Sequence, residues 1–359
     1  MNLEMPLMIF GDMIHVTFYL DVAAAILVLG VLVLCSRGII RDAVEAKLFR
    51  LLLLAVFVLA VSEALNYAGL FADIPAALSM LLQTVNELML SAALIMWLVY
   101  VEYRLYRSRD DLKRRVVKRL IPMFIVVGLE LINPFTGILF TVNMSLVVYG
   151  TIVQGLCEVV RLVYIISSSV RVVKEKKARR DLKFFAIAEF ILPVIAAYLL
   201  TGIWPYSMVP LGFAVGLTCI YAGIINETSF QDQETGYYNR FYLPSLKKEI
   251  TEGSYRLKSG MIFRLGREED TEAFSKLLNP ILPKKCIMIR FDRKTFVMLA
   301  EINERVALHM MKEDARDAIQ EHNSKNDEPD IQVAIDMIMK REGTPAAFYD
   351  ELFQRVKRS

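Results

Sequence analysis

Asp232-Gln-Glu-Thr235-Gly236-Tyr-Tyr238-Asn239-Arg240-Phe-Tyr242-Leu243 is the stretch from which the C-terminal part of the chain can be ordered. Thr-Gly predicts a turn and Asn-Arg the start of a helix, in which Tyr242, Leu243, Leu246 and Ile250 recur at helical spacing. Downstream, a strand-like run at 260–265 precedes a short helix at 271–278. Two β-rich runs, 286–291 and 295–300, flank Asp292-Arg293-Lys294 and read as a hairpin. A helix near 303–321, a polar loop ending in Pro329, a strand at 331–339 and a helix at 345–356 complete an α/β domain.

The opening stretch resembles the D-x-L-T-G-L-x-N-R-R entry of GGDEF domains, the diguanylate cyclase family, matching in register at Asp232, Thr235, Gly236, Asn239 and Arg240. The resemblance covers about 228–355 and implies a nucleotidyl cyclase-type α/β fold working as a dimer. It fails where the family carries R-x-G-G-D-E-F-A-V-L, because this chain has Arg290-Phe-Asp292-Arg293-Lys294-Thr295-Phe296-Val297-Met298-Leu299. In the family, the glycines let the backbone approach the guanine nucleotide and the acidic pair supplies oxygen ligands for magnesium. Here those positions hold Asp292, Arg293, Lys294 and Thr295.

Three further family elements are missing. Arg264 stands where the D-x-D-x-F segment places a metal ligand, with Asp270 or Glu272 as replacements only after a register shift. The R-x-x-D inhibitory site for cyclic di-GMP falls on Pro283 and Cys286, and Val356 replaces the closing lysine. Condensing two GTP molecules requires charge neutralisation at the phosphates, so the expectation is a pseudo-enzyme with no metal and no cofactor. Arg293 and Lys294, at the hairpin tip, either meet a phosphate or form a solvated turn.

Upstream the chain changes character. Over 359 residues it is 55% hydrophobic and 23% charged, with mean hydropathy +0.42, above the roughly 45–50% apolar content of soluble chains. Seven apolar runs, about 14–35, 48–71, 76–103, 118–135, 146–170, 184–204 and 206–226, approach the roughly 20 residues a membrane helix needs. The links at 72–75, 134–145 and 201–207 carry no Lys or Arg, whereas those at 104–119 and 171–183 are strongly basic. Counting basic residues in short loops puts the N-terminus outside and the C-terminal domain in the cytoplasm. The fold class expected is therefore an all-α seven-helix transmembrane domain, 1–226, followed by a cytoplasmic GGDEF-like α/β domain, 227–359.

Net charge is only +3, and the basic links read as topology and attraction to anionic headgroups, so no nucleic-acid partner is expected. Met1 to Gly11 carries Glu4 and no basic stretch, so the first apolar helix is expected to be retained. Cys35, Cys157, Cys219 and Cys286 show no metal-ligand or disulfide spacing.

Polar residues recur three, four or seven apart within the spans: Glu63 and Asn66; Gln83, Asn86 and Glu87; Glu130 and Asn133; Gln154, Glu158 and Arg161. Each set shares one helix face. Two readings stay open: a pocket for a cationic or amine-bearing ligand, or protons, and an internal ion-pair network with Arg161 joined to Glu158 or Glu189. Asp21 joins this belt or faces headgroups; His15, Tyr67, Trp204 and Tyr206 read as interfacial.

The combined expectation is a bacterial inner-membrane receptor that senses a small ligand or membrane state and relays it, through protein contact, self-association or nucleotide binding. A transporter or channel with a regulatory domain is the alternative, separable by flux in proteoliposomes. A working cyclase is a third.

Overall fold

The computed structural model describes the chain except for residues 1–3, 38–39, 41–42, 73, 107–108, 144–145, 150, 179–184, 204–206, 284–285, 326–328, 341–342 and 359. Side chains are further undescribed at 4–14, 70–72, 109–115, 143, 146–149, 176–178, 202–203 and 358. Trp204, Tyr206 and several basic link residues, among them Arg107 and Lys183, thus lie outside the described residues. The chain divides into two units: Met1–Lys177 with Asp181–Ile225, and Ala178–Arg180 with Asn226–Ser359.

The first unit is built of long helices: α1 Glu4–Ser36, α2 Ala43–Ala72, α3 Ala76–Tyr106, α4 Arg109–Thr136, α5 Ile152–Ala178, α6 Ile187–Ile203 and α7 Val209–Phe230. Among the described residues, four helical segments are long and apolar enough to cross a membrane: His15–Ser36, Ala43–Gly69, Ala76–Tyr106 and Val209–Phe230. Of the other three helices, α4 begins in a charged stretch, α5 holds Glu158 and Arg161 and ends basic, and α6 has 17 residues.

Two expectations are corrected. The fifth apolar run does not begin a helix at 146, because β1 Phe140–Asn143 and β2 Leu146–Tyr149 form an antiparallel hairpin and α5 starts at Ile152. Leu-Val-Val-Tyr is apolar enough to extend a helix, but its β-branched and aromatic content suits a strand, and hydropathy does not separate the two. Arg104 and Arg119, counted with a basic link, lie inside α3 and α4. Arg104 is buried and grips both oxygens of Glu45 at 2.8 Å. Arg119 and Arg171 both pair with buried Glu102.

Trp97 stacks on Phe190 of α6 at 3.7 Å, and Phe190 meets Phe213 of α7 edge-on. Glycines allow this approach: a Cβ on Gly212 would lie 2.5 Å from the Ala197 Cβ and 2.8 Å from the Pro193 carbonyl oxygen. Close backbone contact of this kind is how apolar helices associate without a hydrophobic driving force. Gly212→Ala is expected to destabilise the unit by about 1–3 kcal/mol, read by thermal unfolding of the full-length protein.

The second unit holds a five-stranded sheet in the order β3-β5-β6-β4-β7, with β3 Tyr238–Asn239, β4 Ser259–Leu265, β5 Ile287–Arg290, β6 Thr295–Ala300 and β7 Val333–Met339. Its helices are α8 Leu243–Thr251, α9 Thr271–Leu278, α10 Arg305–Lys325 and α11 Pro345–Arg358. These lie within a few residues of the positions read from the sequence. One face of the sheet, with Met261, Phe263, Phe296 and Met298, packs against Phe274 of α9 and Leu308 and Met311 of α10. On the other, Gly260 comes against Leu352 of α11, while Tyr349 donates to the Leu243 carbonyl and joins α11 to α8. The two-residue alternation of each strand directs successive side chains to the two layers.

Candidate functional site

The polar residues singled out in the helical unit come together. Asn66 donates to Gln83 and Gln83 to Glu87, each at 3.1 Å. Arg161, fully buried, binds Glu87 at 2.6 Å, Glu130 at 2.5 Å and Glu158 at 2.5 Å. Gln154 donates to Glu158 at 3.1 Å. A second chain runs from Ser62 to Asn86 at 3.0 Å and from Asn86 to Glu63 at 3.4 Å, with Tyr67 donating to the other Glu63 oxygen. Tyr67, read as interfacial, therefore belongs to the belt.

Asn133 does not join, although it lies three residues from Glu130. Its amide oxygen accepts from Leu139 and Phe140 and its nitrogen donates to the Phe140 carbonyl, which ties the end of α4 to the β1–β2 hairpin. Ser91, which donates to Glu130 at 2.5 Å, was missed. Its place four residues after Glu87 was the available signal. The ion pairs of Glu45 and Glu102 were also missed, since nothing in spacing along one helix announces a partner on another.

Three carboxylates on one guanidinium form a centre whose members depend on each other. Fork geometry suits Arg to several oxygens at once, and removing one member of a buried set leaves charge uncompensated.

In the second unit, the Asp232–Arg240 stretch is explained by its hydrogen bonds. One Asp232 oxygen accepts from the Glu234 and Thr235 amides and the Thr235 hydroxyl, and Arg290 donates to it at 3.0 Å. Gly236 closes the turn at φ +74, a left-handed conformation that strains any residue with a Cβ. Asn239 accepts from the Phe241 amide and donates to the Ser229 and Gln231 carbonyls, so it holds the last turn of α7. Phe230 packs against Tyr242, and the Arg240 guanidinium lies 5.5 Å from the Phe241 ring centre. Burial raises the Asp232 pKa, but the Thr235 amide, the Arg290 guanidinium and the Thr235 hydroxyl outweigh it and hold the group below the usual carboxylate range.

At the β5–β6 hairpin, Asp292 turns its carboxylate back onto the Lys294 and Thr295 amides at 2.9 and 2.8 Å. Lys294 donates to the Gly266 carbonyl at 2.9 Å, and the exposed Arg293 lies 3.5 Å from Glu268. Arg264 is paired in the sheet opposite Thr295, so the two altered positions are neighbours. The candidate replacement carboxylates are engaged elsewhere: Asp270 with Arg267 at 2.8 Å and Glu272 with Lys276 at 2.7 Å. Cys286 and Pro283 sit at the entry to β5, and Val356 is buried in α11. An open cleft of about 520 Å³ beside the tip is lined by Glu234, Arg267, Glu268, Glu269 and Lys294. Its mixed charge does not assemble a metal site, and among the described residues no three His, Cys, Asp or Glu side chains gather as metal ligands.

No family model and no curated protein matches the chain. Solved structures do. The S helix–GGDEF–EAL region of Vibrio cholerae LapD, bound to c-di-GMP, is similar at 13% identity over 38% of this chain and 36% of that one, with TM-score 0.30. The GGDEF domain of Pseudomonas aeruginosa FimX is similar at 13% identity over 36% of this chain and 90% of that one, TM-score 0.29. The diguanylate cyclase SiaD of the same organism, in complex with its activator SiaC, is similar at 17% identity over 57% and 84%, TM-score 0.32. The chain thus spans little more than a third of the LapD region it matches.

Proposed function

We propose that this chain is a bacterial membrane signal-transduction receptor. A seven-span sensor, 1–226, lies in the inner membrane with its N-terminus outside, and a catalytically degenerate GGDEF-like domain, 227–359, acts in the cytoplasm through a protein partner, a second copy or a bound nucleotide. The observation that carries the reading is the hairpin tip. Its one carboxylate, Asp292, is spent on its own turn, and the side chains beside it are the cations Arg293 and Lys294. A tip of that chemistry has no acidic pair to hold magnesium against a triphosphate.

Relay is supported by the continuity of α7 to Phe230 and by Asn239, which ties the end of that helix to the sheet domain. The test uses Gly212→Ala as a packing perturbation in the helical unit and follows amide hydrogen exchange across 228–242 in the full-length protein. Exchange at least threefold faster than in wild type is the expected outcome; unchanged exchange, in a variant whose α6–α7 segment does exchange faster, contradicts relay.

A further inference from the structure

Glu102, on α3, is 1% exposed and receives two guanidiniums at once: Arg119 of α4 and Arg171 of α5 both donate through Nη1 to its Oε1. One carboxylate balances one of them, so three helices hold an excess positive charge at this point. Elsewhere in the unit the buried cations are matched or outnumbered. Arg104 grips the two oxygens of Glu45, and Arg161 meets three carboxylates. At Glu102 the cations outnumber the acid.

A guanidinium carries five N–H donors. Arg119 and Arg171 each place a hydrogen bond on Glu102, and neither side chain makes another within the protein among the described residues. Their remaining donors are open to a ligand, because the Arg119 side chain is 38% exposed and that of Arg171 26%, while the carboxylate between them is sealed. The Tyr164 hydroxyl donates to the Arg119 carbonyl, so α5, which carries Arg171, also holds the α4 backbone at Arg119. Two partly exposed forks are thereby fixed within reach of one another, and the group that bridges such a pair is an anion with several oxygens. Arginine forks match phosphate oxygens bidentately.

Arg119 closes the basic link at 104–119 and Arg171 opens the one at 171–183, and the fold brings the two links to one carboxylate. Glu102 lies towards the Tyr106 end of α3, a helix long and apolar enough to cross a membrane, and basic groups at the end of such a helix stand at the level of anionic headgroups. Exposed Lys118 and Lys174 add positive field nearby, but among the described residues neither pairs with Glu102.

We propose that Arg119 and Arg171 form a binding site for a phosphate oxyanion, either the headgroup phosphate of an anionic lipid or a soluble phosphate, which completes the charge balance at Glu102. The site stands whether or not the chain relays a signal.

The test is thermal unfolding of the full-length protein in dodecyl maltoside micelles at one pH and one ionic strength. In one arm, added dioleoylphosphatidylcholine is replaced stepwise by dioleoylphosphatidylglycerol; in the other, sodium chloride is replaced by sodium phosphate. A saturable rise in Tm of a few degrees in either arm, lost in Arg171→Gln and retained in Lys174→Gln, is the expected result. The arm that responds tells a lipid headgroup from a soluble phosphate. Arg171→Gln leaves Glu102 paired with Arg119, so the buried carboxylate keeps a counterion. Should that variant fail to fold, Arg119→Gln is its reciprocal, with the same loss expected. No rise in either arm overturns the proposal, and so does a rise that survives in the arginine variant. A rise lost equally in Lys174→Gln also overturns it, because that result marks diffuse attraction to a basic surface.

Discussion

Arg161→Leu destabilises the helical unit by about 3–5 kcal/mol, the largest effect of any single substitution considered. The leucine fills the space of the aliphatic stem but leaves Glu87, Glu130 and Glu158 facing each other without a cation. Glu87 and Glu130 are buried, so neither recovers hydration. Glu158→Gln should be far milder, because that side chain is 35% exposed and its loss leaves Arg161 with two carboxylates. Thermal unfolding of the two variants in the same detergent checks the pair: similar losses would mean that the centre is not the ion-paired core of the unit.

Asp232→Ala destabilises the C-terminal domain by about 2–3 kcal/mol, since it removes the acceptor shared by two amides and a hydroxyl and leaves Arg290 with Glu234 and the Arg293 carbonyl alone. A pH signature accompanies it. The Asp232 carboxyl is depressed in the folded state, so its contribution is fully present above the ordinary aspartate pKa of about 3.9 and is lost as pH falls through the lower, folded value. Asp232→Asn should keep much of the turn while flattening that part of the stability profile. Acid unfolding followed by tryptophan-independent circular dichroism of the full-length protein would show whether the acid limb moves.

The element order of the C-terminal domain was legible because turn residues and strand-like runs bound each element: Asp292-Arg293-Lys294 between two β-rich runs could only be a short reversal. The part played by Asp232 was not, since a match to a family stretch says where a residue recurs and not that its oxygen collects four donors. In the helical unit the belt was legible from spacing, because residues three and four apart share a face. Which helix faced which was not. The sequence left Arg161 between Glu158 and Glu189, and packing joined it to Glu158, Glu87 and Glu130. Asp21 was left between interior and headgroups, and burial places it inside. The β1–β2 hairpin escaped because four apolar residues before a helix look like its first turn.

The most direct measurement is made on purified full-length protein incubated with GTP and Mg²⁺, with cyclic di-GMP formed and GTP retained both quantified. A catalytically degenerate domain yields no cyclic di-GMP at any protein concentration, with retained GTP marking a nucleotide-reading domain and its absence a protein-contacting one. Cyclic di-GMP accumulating in proportion to protein, and abolished by Asp270→Asn or Asp292→Asn, would contradict that degeneracy.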